Sequence, residues 1–395
     1  MNLRRRDLLA GLGVMTAIPV RAEATAKASH PPYTIWAAAN DRLDIPVSDC
    51  SVRVAVRVTA GARAVRVRLS NVFGTAPLAV VALHVGHRAD GAAIRSGTNR
   101  RVAFTGEAGI VIPPGGSAIS DAVQCSVAAN ADLLVSISIQ GSPGATTGHL
   151  RPKDNSYLAP LDRGADEEAS AFAQTVPHWL FAEAVIAEGM PNAGSVAIIG
   201  DSITDSGGSP RGSYLGWVDE LARRLAHERA GQPLGLVNLG ISGNRIAAER
   251  PGSGVSALAR LDRDGLSHAG VHSLIVFEGI NDIYGTPVAA GSLIQAHAQV
   301  ALRARMAGLR VIGATLLPTR RQGFTSEREG VRAALNRFIR TSELYDHVID
   351  FDAATRDSAD PMALALPFDS GDRLHPSAAG YRAMAAAVPL SILFP

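Results

Sequence analysis

Residues 196–207 read VAIIGDSITDSG. Four apolar residues run without a polar break and stop at Gly200, Asp201 and Ser202, where a second small polar cluster begins. A short continuous apolar run bounded by turn residues is the pattern of a strand covered on both faces. The same rhythm returns downstream in LGLVNLG, HSLIVFEG, RVIGATLL and HVIDF. Amphipathic stretches separate these runs, such as YLGWVDELARRLAHE, with Trp217, Leu221 and Leu225 at helical spacing, and SLIQAHAQVALRARMAG. Successive strand and helix units predict a parallel sheet with helices on both faces, a three-layer α/β domain over residues 195–395.

Upstream the period changes to two. SVRVAVRV sets Val52, Val54, Val56 and Val58 on one face, and AVRVRL does the same with Val65, Val67 and Leu69. LAVVALHV, GIVIPP, AVQCSV and DLLVSISI follow, punctuated by NVFGTAP, PPGGS and QGSPGATTG. Many short strands separated by Gly and Pro clusters predict an all-β sandwich of jelly-roll type over residues 30–190. LDRGADEEASAFAQ reads as a loop or short helix. The boundary falls in AEGMPNAG, residues 187–194.

The chain of 395 residues is 47% hydrophobic and 19% charged, long enough for two domains. Its first 24 residues combine a basic start, an apolar stretch from Leu8 to Val20 and small residues at Ala22 and Ala24. That stretch is shorter than the roughly 20 residues of a bilayer span and is the layout of an export signal. Arg5 and Arg6 give it the twin-arginine form, so a periplasmic or secreted location is expected. Leaving out residues 1–22, with Arg4, Arg5, Arg6 and Arg21 against Asp7, moves the formal charge from +2 to −1. A near-neutral chain without a clustered basic face is not built for nucleic acid. No other segment is long and apolar enough to span a membrane. Cys50 and Cys125 fit no zinc or redox spacing; a structural disulfide suits an exported protein, but folding before twin-arginine export works against it, and two buried thiols are the first expectation.

In an open parallel sheet, functional groups gather beyond the carboxyl ends of the strands. Those positions hold Ser202; then Ser242, Gly243 and Asn244; then Asn281 and Asp282; and, after the fifth strand, Asp372 and His375. Serine, histidine and aspartate are the set that nucleophilic acyl transfer needs. A hydroxyl is a weak nucleophile until an imidazole takes its proton, and the imidazole must be held in one tautomer. The backbone N–H groups of Ser202 and Gly243 and the Asn281 amide are candidate oxyanion donors. Asp369 also lies upstream of His375 and rivals Asp372. A helix is expected to start near Pro376. Asp205 and Asp282 are read as residues that orient neighbouring turns, and His297, on an apolar helix face, as a packing residue. Tyr214, Trp217, Tyr284 and Phe368 are placed to line an acyl pocket, with Trp217 better suited to helix core. There is no GxSxG elbow and no paired histidine spacing for zinc.

GDSI, GISGN, GIND and DRLH together resemble the four blocks of the SGNH hydrolases, also called GDSL esterases and lipases. The upstream half, with RLSNVFGTAPL, VAFTG and IPPGGSAISDAV, is similar to the β-sandwich that precedes the catalytic domain in one bacterial branch of that family. The resemblance implies a flavodoxin-like α/β domain with Ser202 as nucleophile, Asp372 and His375 completing a triad, and Ser202, Gly243 and Asn281 as the oxyanion hole. Ile203 stands where the family name has leucine. The resemblance further implies a serine esterase without cofactor or metal, acting on a small-molecule ester or acylated carbohydrate. Short acyl groups such as acetyl are the first expectation. A lipase or lysophospholipase, and a glycan-binding module with an inert hydrolase domain, are the alternatives.

Overall fold

The computed structural model describes residues 30–285 and 287–395. The export segment expected over residues 1–24 lies outside the described residues.

The upstream half is two large antiparallel sheets laid face to face, with a small third sheet of Trp179–Leu180, Thr146–His149 and Asp41–Leu43 beside them. One runs in the order Tyr33–Ala37, Ala182–Ala187, Ala62–Ser70, Val123–Val127, with Ser117–Ile119 also pairing onto Ala62–Ser70. The other is larger and centres on Cys50–Arg57, Asp132–Gln140 and Leu78–Asp90. The alternation in sequence sets the core: Val52, Val54 and Val56 of one sheet meet Val65, Val67 and Leu69 of the other, all fully buried. LDRGADEEASAFAQ forms a loop with one short turn of 3₁₀-helix at Ala169–Ala171. Cys50 is half-buried and Cys125 buried, both as free thiols.

The downstream half is a five-stranded parallel sheet whose strands, numbered along the chain, lie in the order 2-1-3-4-5. They are Gly194–Gly200, Leu234–Gly240, Val271–Phe277, Arg310–Ala314 and His347–Ile349. Residues 194–200 are all buried, as a strand covered on both faces requires. Longer helices cover the sheet at Trp217–Glu228, Ala290–Met306, Ser326–Thr341 and Ala378–Ala387. In this strand order the reversal falls between strands 1 and 3, and a crevice opens there at the carboxyl ends.

The two halves share strands. Tyr33–Ala37 and Ala182–Ala187 are buried on both faces because alternate residues serve different cores. Ile35 and Val185 point into the sandwich, whereas Ala37, Ala184 and Ile186 pack into the core of the parallel domain. Thr59 clamps the exposed edge of the second parallel strand: its hydroxyl accepts from the Leu236 N–H at 2.8 Å and donates to the Ile35 carbonyl at 2.8 Å. An edge that would otherwise offer unpaired groups is thereby covered.

Candidate active site

The first parallel strand ends at Gly200, where a Cβ would sit 2.2 Å from the Thr204 hydroxyl, so the chain can fold back tightly only with glycine there. Residues 201–208 make a compact turn. Asp201 Oδ1 accepts the Ile203 N–H at 2.9 Å, the Asp205 N–H donates to the Asp201 carbonyl at 2.9 Å, and the Gly207 N–H donates to the Ser202 carbonyl at 2.5 Å. The turn leaves Ser202 half-buried, with its Oγ 2.9 Å from His375 Nε2. Gly207 lets the ring approach, since a Cβ there would meet His375 Cδ2 at 2.7 Å.

On the other side, Asp372 Oδ2 lies 2.6 Å from His375 Nδ1, and Asp372 Oδ1 accepts the N–H groups of His375 at 2.8 Å and Leu374 at 3.0 Å. The three-residue spacing closes this turn upon itself. A carboxylate facing Nδ1 requires the proton on that nitrogen, so Nε2 presents a lone pair to the serine hydroxyl. Partial burial works to raise the Asp372 carboxyl, but the amide and imidazole of His375 outweigh it and hold it below the usual carboxylate range. Asp369 faces away from the ring and caps the turn, accepting from Gly371 at 2.8 Å and Arg373 at 3.0 Å. The following helix starts at Ala378, two residues after Pro376. Pro376 bridges back to Asp369, and the Ser377 hydroxyl caps the helix by accepting the Gly380 N–H at 3.2 Å.

The expected donors differ in readiness. Among the described residues the backbone N–H groups of Ser202 and Gly243 have no protein partner, and Gly243 holds φ +84°, a conformation that suits glycine. The Asn281 amide is committed, donating to the Asn244 carbonyl at 3.0 Å and to Asp201 Oδ2 at 3.2 Å. An oxyanion recruiting it competes with Asp201, the longer of the two bonds. Burial, with the nearby charges of Asp282 and Asp205, pushes Asp201 up to about 7.

Further residues hold this geometry: Arg260 and Glu278 carried no signal in the sequence, whereas Asn244, Asp205 and Asp282 stood out there at the strand ends, the two aspartates as residues that orient turns. Arg260, an ordinary arginine in a helical stretch, is fully buried and donates to the carbonyls of Leu239 and Gly200 and to Asn244 Oδ1, tying the ends of strands 1 and 2 together. Asn244 also donates to the carbonyls of Ser253 and Val255. Asp282 accepts the N–H groups of Ile246 at 2.9 Å and Ala247 at 3.1 Å. Asp205 accepts from Ser242 through both its hydroxyl at 2.5 Å and its N–H at 3.1 Å. Glu278 is wholly buried beneath the site, and burial, with the charge of Asp201, holds its carboxyl well above the usual range.

Of the aromatic residues, Trp217 is helix core against Phe351, and Tyr214 is buried at the seam with the sandwich, its hydroxyl on Asp154. Neither lines an acyl pocket there. Tyr284 stacks on Phe324 in the connection after Asn281, and Phe368 is half-buried in the loop before His375. His297 is fully buried, with Nδ1 2.7 Å from the Tyr345 hydroxyl and Nε2 3.1 Å from the Glu278 carbonyl. Among the described residues no cluster of three or more His, Cys, Asp or Glu is arranged to hold a metal, and no helix is long and apolar enough to cross a membrane.

The arrangement joins a hydroxyl to an oriented imidazole and leaves the N–H groups of Ser202 and Gly243 without protein partners among the described residues, which suits acyl transfer. Residues 198–383 match the family model of the GDSL-like lipase/acylhydrolase family. Among solved structures, similarity extends to a carbohydrate acetylesterase family member from Sinorhizobium meliloti (16% identity, 50% of this chain and 97% of that one, TM-score 0.41). It extends also to a variant of an acetyl xylan esterase from Geobacillus stearothermophilus (22%, 49% and 92%, TM-score 0.39) and a GDSL-like lipase from Bacteroides thetaiotaomicron (16%, 50% and 87%, TM-score 0.37). No curated protein sequence matches the chain. The family model spans the strands and loops that assemble this site, so residues 198–383 form a GDSL-like lipase/acylhydrolase domain, the domain of a carboxylic ester hydrolase.

Proposed function

We propose that the protein is an exported serine esterase that removes short acyl groups, acetyl foremost, from small esters or acylated carbohydrates. The observation that carries the chemistry is the chain of contacts from Ser202 Oγ to His375 Nε2 at 2.9 Å and from His375 Nδ1 to Asp372 at 2.6 Å. In the proposed cycle His375 takes the Ser202 proton as the hydroxyl attacks the ester carbonyl. The oxyanion is received by the N–H groups of Ser202 and Gly243, with the Asn281 amide turning from Asp201 to join them. His375 returns the proton to the leaving alcohol, and then activates water to release the acid.

Export is inferred from the basic and apolar start of the sequence. A carbohydrate-borne ester is supported by the openness of the site: the Asp372 side chain is 39% exposed and that of His375 17%, so a bulky alcohol portion can approach the serine. Arg321, 4.0 Å from Asp372, makes that rim polar. One observation favours a lipid ester instead, namely the exposed Leu366 and Met362 in the connection that carries His375.

The test is a series of nitrophenyl esters of increasing acyl length beside acetylated polysaccharide, with Ser202→Ala as control. Activity on acetyl esters, lowered by about 10⁶-fold in the variant, is the expected result. A maximum at eight carbons or longer replaces the short-acyl reading with the lipid one. Glycan binding without hydrolysis by the unmodified chain makes the hydrolase domain inert, and full activity in Ser202→Ala removes the serine assignment.

A further inference from the structure

The β-sandwich touches the turn that carries Ser202 along a polar seam. Residues 149–154 of the sandwich face residues 205–214. The Gly212 N–H donates to the Lys153 carbonyl at 2.6 Å, Arg211 donates to the carbonyls of Pro152 and Asp154 at 2.9 and 2.8 Å, and the Tyr214 hydroxyl donates to Asp154 at 2.5 Å. Buried in the seam is His149, at the end of the strand Thr146–His149 and 4% exposed. Its Nδ1 lies 2.8 Å from the Ala39 carbonyl and its Nε2 3.0 Å from Asp205 Oδ1. Asp205 in turn holds Ser242 with its other oxygen.

Resting on the reading of Ser202 as nucleophile and Gly243 as oxyanion donor, we infer that His149 is a positioning residue of the esterase site, acting through Asp205 and Ser242. Asp205 sits three residues after Ser202, and Ser242 immediately before Gly243. One carboxylate, fixed from the sandwich side, therefore joins the two turns whose N–H groups face the carbonyl. The sandwich supplies part of the catalytic geometry, and the parallel domain alone has an incomplete site.

The chemistry of the ring makes the link switchable. Both of its nitrogens face acceptors, so both bonds exist together only when both carry hydrogen, in the imidazolium form. Burial opposes that charge, but Asp205 and the Ala39 carbonyl outweigh burial and hold the ring above its usual range, with Arg260 acting in the opposite sense. The other titratable groups facing the seam are Lys153, Arg57, Tyr214 and Asp219, which line a cavity of about 60 Å³ beside Asp205. Loss of the proton at rising pH removes one of the two bonds and loosens Asp205.

The experiment measures kcat, KM and their pH dependence on nitrophenyl acetate for the full chain, His149→Gln and Ser242→Ala, with thermal unfolding to establish folding and Ser202→Ala as control. For folded His149→Gln, kcat is expected to fall about tenfold to hundredfold, the scale of a small misplacement of reacting groups. KM stays within about twofold of wild type, and the alkaline limb of the kcat profile that His149 imposes on wild type disappears. Ser242→Ala, which keeps His149 and removes only the hydroxyl link, is expected to lower kcat by a smaller factor at unchanged KM. Wild-type kcat with an unaltered alkaline limb in His149→Gln overturns the inference, as does a rise in KM alone, which would make the sandwich a substrate-binding element. If His149→Gln does not fold, Ser242→Ala decides, and wild-type kcat there overturns it. Failure of the esterase reading looks different: an active Ser202→Ala or an inert wild-type chain removes both readings, whatever His149 does.

Discussion

The sandwich and the parallel sheet place their buried polar groups in opposite parts of the strand. In the sandwich, Arg53 lies in the middle of Cys50–Arg57 and is fully buried, yet every face of it is answered: it donates to Ser136 Oγ at 2.8 Å and to the carbonyls of Ala92 and Asp166 at 2.7 and 2.5 Å, and it stacks on Phe172 at 3.7 Å. The loop through residues 161–172 folds over that face and supplies the partners. In the parallel sheet, Val196, Ala197, Ile198 and Ile199 carry no polar side chain at all, because helices cover both faces and offer no such acceptors. Polar chemistry is displaced to the strand ends, where four loops meet. A sheet with a coverable face takes a buried arginine in mid-strand, whereas the first parallel strand keeps its buried polar groups at its ends: Ser195 at one, bonded to the Thr34 carbonyl, and Asp201 at the other, beside Ser202 on the rim that forms the site.

The largest effect tests whether the rim works as one unit. Asp372→Asn leaves the shape of the turn but disturbs the tautomer at His375, and kcat is expected to drop by about 10⁴-fold. Asp369→Asn keeps the Oδ1 that caps the turn, and esterase rates should stay within a few-fold of wild type. Comparable losses in the two variants, read from the same initial-rate assay, would contradict the assignment of Asp372 over Asp369.

A middle-sized effect tests whether the two halves are separable. Ile186 belongs to a sandwich strand but packs in the core of the parallel domain. Ile186→Ala should cost about 2–5 kcal/mol, and denaturant unfolding followed by near-UV and far-UV dichroism should show one coincident transition, shifted downward. Two separated transitions would mean that the halves unfold independently despite the shared strands.

The smallest effect concerns the acid beneath the rim. Glu278 has its carboxyl raised by burial and by the charge of Asp201, so its contribution to stability is fully present below the unfolded value near ~4.3 and is lost as pH rises through its folded value. Glu278→Gln stays neutral throughout. Wild-type thermal stability should therefore decline from acid toward alkaline pH relative to Glu278→Gln. Parallel melting curves at pH 5, 7 and 9 would show that Glu278 does not titrate in that window.

The sequence by itself determined the strand types and the position of the rim, because both follow from local pattern. A period of two against unbroken apolar runs separates the antiparallel from the parallel half. Polar clusters beyond four of the five runs mark Ser202, Gly243, Asn281 and, after a longer connection, the turn from Asp372 to His375. The spacing of Asp372 and His375 was also legible, since three residues close one turn. Only the tertiary structure decided which groups support the rim. Arg260 reads as a surface helix arginine until the ends of two strands deliver their carbonyls to it. The Asn281 amide reads as a free donor until Asp201 and Asn244 are folded against it. Tyr214 reads as a pocket-lining residue of one half and His149 as an unremarked residue of the other until the seam buries them together. These roles arise from contacts between segments far apart along the chain, and local pattern carries no record of which distant backbone will supply a side chain's partner.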